Sequence, residues 1–312
     1  MRPQLIAALS VGSRVPSHFS GRVHSVYRRA CNIELDDGTL ITVLGCEQTN
    51  LPHGIRCELP EREVFQVWMR PGQAVAADAS LFRAFPGEFA LDLRGAALWR
   101  CRLRGFAMDS QAKASPRALS AAQRVLRQCT TGGGFVPLLL GDAARGSTLE
   151  RAMQRRLREA LPALSRASCA LDCTAAARAL EQLAGLGPGL TPSGDDFIVG
   201  YLAALHARSS RETLLRSFLA GLAGAVTRLA AAANLISRQF MLNAVEGEFS
   251  EALAQVVLAA GAFDERRLGD SAVRLVRVGH SSGADSLAGL LFGLCLPVAS
   301  TPHHRVWMPV AT

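Results

Sequence analysis

The feature that most limits the fold of this chain is a change of sequence pattern near residue 105. Before it, short runs of β-branched and aromatic residues alternate with turn signals; after it, alanine and leucine dominate and apolar residues recur with a helical period. We therefore predict an α+β protein. A β-rich N-terminal domain, shaped as a barrel or a sandwich, spans residues 1–105, and a mostly α-helical domain spans residues 106–312.

Local signals place several elements within these two parts. Asp36-Asp37-Gly38, between apolar runs at 31–35 and 39–44, predicts a tight β-hairpin, because Asp-Gly tolerates the positive φ of such a turn. Further strands are predicted over residues 21–27, 64–68, 73–77, 89–93 and 96–103.

Helix starts are indicated by two Ser-x-x-Glu patterns, which are typical of capping boxes. Ser147 with Glu150 predicts a helix that reaches about Ala160, and Ser209 with Glu212 predicts the start of a long apolar helical region. Other helices are predicted over residues 118–129, 174–184 and 251–260.

Composition excludes several classes of protein. Hydrophobic residues make up 49% of the chain and charged residues 19%, which excludes a disordered chain and a coiled coil. The most apolar stretch, residues 217–236, is interrupted by Arg228 and Asn234, so we interpret it as a buried helix and predict no association with a membrane.

The net charge and the cysteine pattern indicate which partners and which cellular compartment to expect. The formal net charge is +8, but the arginines form no basic stripe, so we predict no nucleic-acid partner. The eight cysteines show no CxxC pair and no histidine at zinc-ligand spacing. We predict free buried thiols, a cytoplasmic protein, and neither a metal nor a cofactor.

The segment GLGPGLTPSGDD at residues 185–196 is the strongest candidate for a binding site. Its four glycines and two prolines exclude a regular helix or strand, and an apolar helix follows. The unpaired N–H groups and the positive dipole end of that helix, with Thr191 and Ser193, are suited to binding a small anion. The alternative is that Ser193 caps the helix and that Asp195 and Asp196 are ordinary first-turn acids.

A second segment repeats the first. SGADSLAGLLFGL, from Ser282, matches SGDDFIVGYLAAL, from Ser193, at the serine, the first glycine, the aspartate three residues after the serine, and a second glycine seven residues after it. We predict that both helix N-termini converge on one polar site and that Gly200 and Gly289 let the helices approach closely. Two packing elements without a ligand are the alternative.

Each candidate residue has an expected role. We expect four possible catalytic groups: Asp195, Asp196, Asp285 and His280. Asp196 and Asp285 occupy matched positions that suit metal binding, helix capping, orientation of a hydroxyl or action as a base, and the sequence does not choose among these. The predicted substrate-binding residues are Gly187, Gly189, Thr191, Ser193, Gly194, Ser281, Ser282, Gly283, Arg238 as a charged clamp or else a surface arginine, and Asn32 in the β-rich part.

Three segments together resemble the AllH-like family: GRVHSVYRRACNIELDDG at residues 21–38, GLGPGLTPSGDDFIVG at 185–200, and GHSSGADSLAG at 279–289. The resemblance implies a subunit of the oxamate carbamoyltransferase of allantoin degradation. It implies transfer of a carbamoyl group from oxalurate to phosphate, giving carbamoyl phosphate and oxamate, or the reverse reaction. It also implies other subunits of a carbamoyltransferase complex as partners. Carbamoyl phosphate, oxamate and oxalurate are all small anions, which agrees with the site predicted from the residues.

Two other functions stay open at this point. The chain is compatible with a non-catalytic partner subunit of such a complex. PSGDDFIVG also resembles a segment of ribokinase-like small-molecule kinases, in which Asp195 would be the base. The β-rich first third does not match the alternating α/β order of that kinase fold.

Overall fold

In the computed structural model, the chain divides into two compact units, Met1–Cys101 and Arg102–Thr312. The structure describes residues 4–59, 62–87, 89–101, 103, 116–128, 134–139, 147–209, 212–262 and 264–296. The predicted boundary at 105/106 falls outside these ranges.

The N-terminal unit is a β-barrel, which confirms the predicted β-rich part. Eight strands close through pairing of β1 with β5, and β9 pairs with the far end of β1. The strands are β1 Gln4–Gly12, β2 Phe19–Val26, β3 Ala30–Leu35, β4 Leu40–Gly45, β5 Gly54–Cys57, β6 Ala74–Ala77, β7 Leu81–Phe85, β8 Phe89–Asp92 and β9 Ala97–Trp99.

The predicted hairpin is present, with β3 and β4 antiparallel and Gly38 at a φ of 78°. The strand predicted over 64–68 is wrong: Phe65–Trp68 forms a short helix, α1, whose Phe65 is buried in the barrel core. A short apolar run fits a buried strand or a buried helix equally well, so its burial was predictable and its conformation was not. Strands β1, β5 and β7 were not predicted.

The second unit is helical, as predicted. Its helices are α2 Pro116–Gln128, α3 Phe135–Leu139, α4 Thr148–Cys169, α5 Cys173–Leu183, α6 Ser193–Ser209, α7 Thr213–Ala232, α8 Leu235–Val245, α9 Glu251–Gly261, α10 Glu265–Val276 and α11 Ser282–Cys295. At the centre lies α6, which is buried along nearly its whole length and packs against α11, α7, α8 and α9.

One capping prediction is confirmed and the other is wrong. Ser147 and Glu150 form the reciprocal capping box of α4, which continues through Pro162 to Cys169 and so exceeds the predicted end. Ser209 instead closes α6, and its hydroxyl donates to the carbonyl of His206. Glu212 is therefore the N-cap of α7 rather than the third residue of a capping box.

The single buried helix predicted over residues 217–236 is also corrected. Helix α7 ends at Ala232, and Asn234 caps α8. Within the described ranges, α7 is the one helix long and apolar enough to cross a membrane by length and composition, and a third of its most apolar window is buried. Core helices of globular proteins pass the same test, and Leu215, Phe218 and Leu222 of α7 pack inward.

Candidate functional site

The two repeated segments form two equivalent helix–turn–helix units, α5–α6 and α10–α11. In the first, the Leu186 amide donates to the Leu183 carbonyl at 3.1 Å, and the Gly194 amide donates to the Leu186 carbonyl at 2.9 Å. In the second, Val278 donates to Leu275 at 2.9 Å, and Gly283 donates to Val278 at 3.0 Å. The repeat therefore includes the end of the preceding helix, and the first turn is three residues longer than the second.

Both turns place a glycine against backbone at the same point. A Cβ at Gly194 would lie 1.7 Å from the Leu183 carbonyl oxygen, and one at Gly283 would lie 1.8 Å from that of Leu275. These contacts explain both glycines by packing. Because their amides already donate within the turns, the predicted anion site must draw its donors from other groups; a direct binding role for Gly194 and Gly283 stays a prediction.

Helices α6 and α11 cross in close contact through a reciprocal glycine pair. A Cβ at Gly200 would lie 1.9 Å from the Ser286 carbonyl oxygen, and one at Gly289 would lie 2.0 Å from the Phe197 carbonyl oxygen. Since 200 corresponds to 289 and 197 to 286 in the repeat, the crossing has a local pseudo-two-fold symmetry. The close approach predicted from Gly200 and Gly289 is confirmed.

The N-termini of α6 and α11 meet. The hydroxyls of Thr191 and Ser282 are hydrogen-bonded at 2.6 Å although the residues lie 91 positions apart. Further along the helices, Gly289 lies against Phe197 and Gly293 lies against Ala204, so the contacts proceed in the same direction on both. The helices therefore run parallel, and their positive dipole ends lie close together. The two helix N-termini thus lie together, as predicted, and their use as one polar binding site stays a prediction.

Neither Ser193 nor Ser281 makes a side-chain capping hydrogen bond at its helix start. Ser193 is the first residue of α6, where the carbonyl of Pro192 accepts from the amides of Asp195 and Asp196. The Ser193 hydroxyl is fully buried and has no hydrogen-bond partner. Ser281, the N-cap of α11, makes no side-chain cap hydrogen bond. The capping interpretation of Ser193 is therefore wrong.

Asp196 and Asp285 are two buried carboxyl groups at the matched positions of the repeat. Burial, with repulsion from Asp285, raises the pKa of Asp196 from 3.8 to about 8. Burial raises the pKa of Asp285 to about 7, and the hydrogen bond from the Phe135 amide offsets part of that rise. Near pH 7 Asp196 is therefore mostly protonated and Asp285 about half protonated, which is unusual for aspartate and typical of functional sites.

A third element reaches this pair. The Phe135 amide at the start of α3 donates to Asp285 Oδ1 at 2.7 Å. Gly134, with a φ of 87°, lies so close that a Cβ there would be 2.7 Å from Asp285 Oδ2. Neither Phe135 nor Gly134 was predicted from the sequence to belong to the site. Gly134 was the available signal, because a glycine at the start of a helix permits close approach to a buried side chain.

Asp195 contacts the turn that precedes α6. Its Oδ1 accepts a hydrogen bond of 2.7 Å from the Gly185 amide, so the side chain braces the turn between α5 and α6. The kinase interpretation requires Asp195 as a base, whereas in the structure its carboxylate accepts the Gly185 amide and so stabilises the turn.

The other predicted loop residues are distributed around the turn. Gly187, with a φ of 115°, packs on the Ser193 side chain, and Gly189 has a φ of 113°. His280 is exposed. Arg238 is exposed on the first turn of α8, which packs against α6.

Asn32 belongs to the N-terminal unit, on β3. Its amide nitrogen donates to Ser25 Oγ at 3.1 Å, and its carbonyl oxygen accepts from Thr42 Oγ1 at 2.8 Å. These contacts hold the buried amide within the barrel wall, and a role in binding substrate stays a prediction.

Among the residues that the structure describes, no group of three or more histidine, cysteine, aspartate or glutamate side chains is arranged to hold a metal ion. The site is defined by oxygen groups: two carboxyls, and the hydroxyls of Thr191, Ser193 and Ser282.

Comparison with known families matches both parts of the chain. A family model described as the AllH family N-terminal domain matches residues 4–98, and one described as oxamate carbamoyltransferase subunit AllH matches residues 183–294. The second match spans α6, α11 and both turns. No solved structure matches the chain.

Proposed function

Because this chain belongs to the AllH family of oxamate carbamoyltransferase subunits, we propose that it binds the small anionic substrate of that enzyme at the paired N-termini of α6 and α11. The ligand is carbamoyl phosphate, oxamate or oxalurate. The observation that supports this most directly is the Thr191–Ser282 hydrogen bond, which joins the two repeats beside buried polar groups without partners.

The electrostatics of the parallel helix pair favour an anion. Two positive dipole ends side by side repel each other, and a negative group between them relieves that repulsion. The amides of Gly194, Gly283 and Asp285 are engaged in backbone hydrogen bonds. The hydroxyls of Thr191, Ser193 and Ser282 are the side-chain donors proposed for the anion, with one proton of the Thr191–Ser282 pair used in their mutual hydrogen bond.

The raised pKa values of the aspartates reduce the expected conflict with an anion. Two fully ionised carboxylates beside a carboxylate or phosphate ligand would repel it. Asp196 and Asp285 carry less than two negative charges near neutral pH, because their pKa values are about 8 and about 7. A small anion then meets hydroxyl and carboxyl groups held by rigid helices, which positions it for group transfer.

The proposed reaction is transfer of a carbamoyl group between oxamate and phosphate within a cytoplasmic complex. As a subunit, the chain acts with other subunits of a carbamoyltransferase. Exposed Arg238 is retained as the proposed charged clamp, since α8 packs on α6.

Calorimetric titration of the full chain with oxamate and with carbamoyl phosphate tests the proposal. We expect Ser282→Ala to weaken binding about 2- to 10-fold, because one hydroxyl donor is lost. Ser217→Ala, on the exposed face of α7, is the matched control and should leave affinity unchanged.

Other results have defined meanings. If the isolated chain binds neither ligand but the assembled complex does, and Ser282→Ala leaves that binding unchanged, the chain is a non-catalytic partner subunit and the proposed site is wrong. Release of ADP from ATP on addition of small alcohols would instead support a kinase.

A further inference from the structure

We infer that Asp196 and Asp285 recognise the amino group of the substrate's carbamoyl or amide end, and so select an amide over a carboxylate. This inference rests on the proposed function, because it assigns an orientation to the ligand at the same site. It divides the site into carboxyl groups that accept hydrogen bonds from nitrogen and hydroxyls that donate to oxygen.

The geometry leaves one oxygen of each carboxyl unused. Asp285 is fully buried; its Oδ1 accepts from the Phe135 amide, and its Oδ2 has no hydrogen-bond partner. Asp196 is 7% exposed, and its Oδ2 also has no hydrogen-bond partner, although the hydroxyls of Thr191 and Ser282 lie near enough to this carboxyl to lower its pKa. Buried polar atoms are nearly always hydrogen-bonded in folded proteins, so two unpaired oxygens on neighbouring side chains point to a ligand that supplies donors.

The chemistry of the orphaned atoms selects the kind of ligand group. An ionised carboxylate only accepts hydrogen bonds. When both carboxyls are ionised, a phosphate or carboxylate ligand offers only acceptors and leaves both Oδ2 atoms unsatisfied. A primary amide or carbamoyl group is planar and carries two N–H donors, which match two carboxyl oxygens.

An independent observation supplies the other half of the arrangement. Ser193 Oγ is fully buried, has no partner, and lies near enough to Asp285 to lower the pKa of that carboxyl, although not in hydrogen-bond geometry. A hydroxyl in this position donates to a ligand oxygen. A ligand with NH₂ at one end and an anionic oxygen group at the other, as in oxamate, satisfies the carboxyls and the hydroxyls together.

Oxamate and oxalate form a matched pair of probes. They have the same size and planar shape, but oxamate is a monoanion with an NH₂ group where oxalate, a dianion, has a second carboxylate oxygen. Charge repulsion alone would make oxamate bind more tightly to Asp285→Asn, so the fall expected in that variant separates recognition of the NH₂ group from the charge difference. Titrated into the full-length chain at pH 8.5, above the pKa of both aspartates, oxamate should bind at least about tenfold more tightly than oxalate. Sites that pair with a specific polar group reject analogues lacking it by factors of this size or more.

The variant Asp285→Asn tests which residue makes the selection. Its side-chain oxygen still accepts from the Phe135 amide, but the atom that replaces Oδ2 is an NH₂ donor. We expect oxamate affinity to fall at least about tenfold while oxalate affinity stays the same or rises. Asp196→Asn should act in the same direction, and it gives a second test if Asp285→Asn does not fold.

Asp270→Asn is the control, because Asp270 is exposed on α10 and its substitution should change neither affinity. Wild-type protein that binds oxamate and oxalate equally overturns the inference and leaves the proposed function standing. Equal weakening of both ligands by Asp285→Asn and Asp196→Asn also overturns it. Failure of wild-type protein, alone and in its complex, to bind any of the proposed anions refutes the proposed function itself.

Discussion

Replacing Asp196 by Asn should reduce the pH dependence of stability of the helical unit. In the unfolded chain Asp196 titrates near 3.8, whereas burial and Asp285 raise its pKa to about 8 in the folded protein. Below 3.8 both states bind the proton, so this group gives the stability no pH dependence there. Between these values the folded state keeps a proton that the unfolded state has released.

The sign and size follow from proton linkage. Rising pH favours the unfolded state, which binds fewer protons, so the stabilisation present below pH 3.8 is lost progressively and is gone once the pH passes about 8. Each such group contributes about 1.4 kcal/mol per pH unit within that window. Asp285, with a pKa of about 7, adds a similar slope up to that pH. Between pH 5 and pH 6.5, Asp196→Asn should therefore lower the total slope by about 1.4 kcal/mol per pH unit.

Urea unfolding followed by circular dichroism at 222 nm measures this effect. The signal reports the helical unit, because α1 is the one helix described in the barrel and it has four residues. The free energy of unfolding is determined at pH 5, 5.8 and 6.5 for the wild type, Asp196→Asn and the exposed control Asp270→Asn. The control should keep the wild-type slope, because Asp270 is exposed. Comparing each variant with the wild type cancels the contributions of all other titrating groups. An unchanged slope in Asp196→Asn would show that this carboxyl is ionised in the folded protein, and the argument from burial would fail.

Three further predictions follow from the packing. Gly289→Ala should destabilise the helical unit by about 1–3 kcal/mol, because its Cβ would lie 2.0 Å from the Phe197 carbonyl oxygen. Gly269→Ala, which faces open space within α10, should instead stabilise the unit by up to about 1 kcal/mol. Equal effects of the two substitutions in urea unfolding would contradict the close crossing of α6 and α11. A double-mutant cycle of Thr191→Val and Ser282→Ala should give a coupling energy of about 0.5–1.5 kcal/mol, and no coupling would mean that the 2.6 Å contact contributes nothing. Cys57, whose pKa burial raises to about 12, should react with an aromatic disulfide reagent only after unfolding, so rapid labelling of native protein at this position would refute its burial.

Local sequence signals correctly predicted an element where a few neighbouring residues fix its backbone geometry. Gly38 supplies the positive φ of the β3–β4 hairpin, and Ser147 with Glu150 satisfies the first amides of α4. The hairpin turn and the capping box each involve about four consecutive residues, so neither depends on the rest of the fold. The pattern at Ser209 and Glu212 failed because α6, held by its packing, extends through Ser209 and uses its hydroxyl at its own end.

The repeat allowed more of the site to be anticipated. Matched glycines at 200 and 289 predicted a close helix crossing, because a small residue recurring on a helix face permits two backbones to approach. It did not reveal that Gly194 and Gly283 serve the turns, or that their amides are engaged there. That distinction depends on where the preceding helix ends.

The amino-acid sequence by itself determined the order of the two parts, the hairpin, most helices and the pairing of the two Ser-Gly segments, because each depends on periodicity or on a residue with restricted backbone geometry. Only the tertiary structure decided that the β-rich part closes as a barrel, since β1 and β5 pair across some 45 residues of chain. Likewise, only the fold removes Asp196 and Asp285 from water and brings Phe135 to Asp285 across 150 positions. A pKa depends on the atoms that surround a group in space, and the sequence shows only its neighbours along the chain.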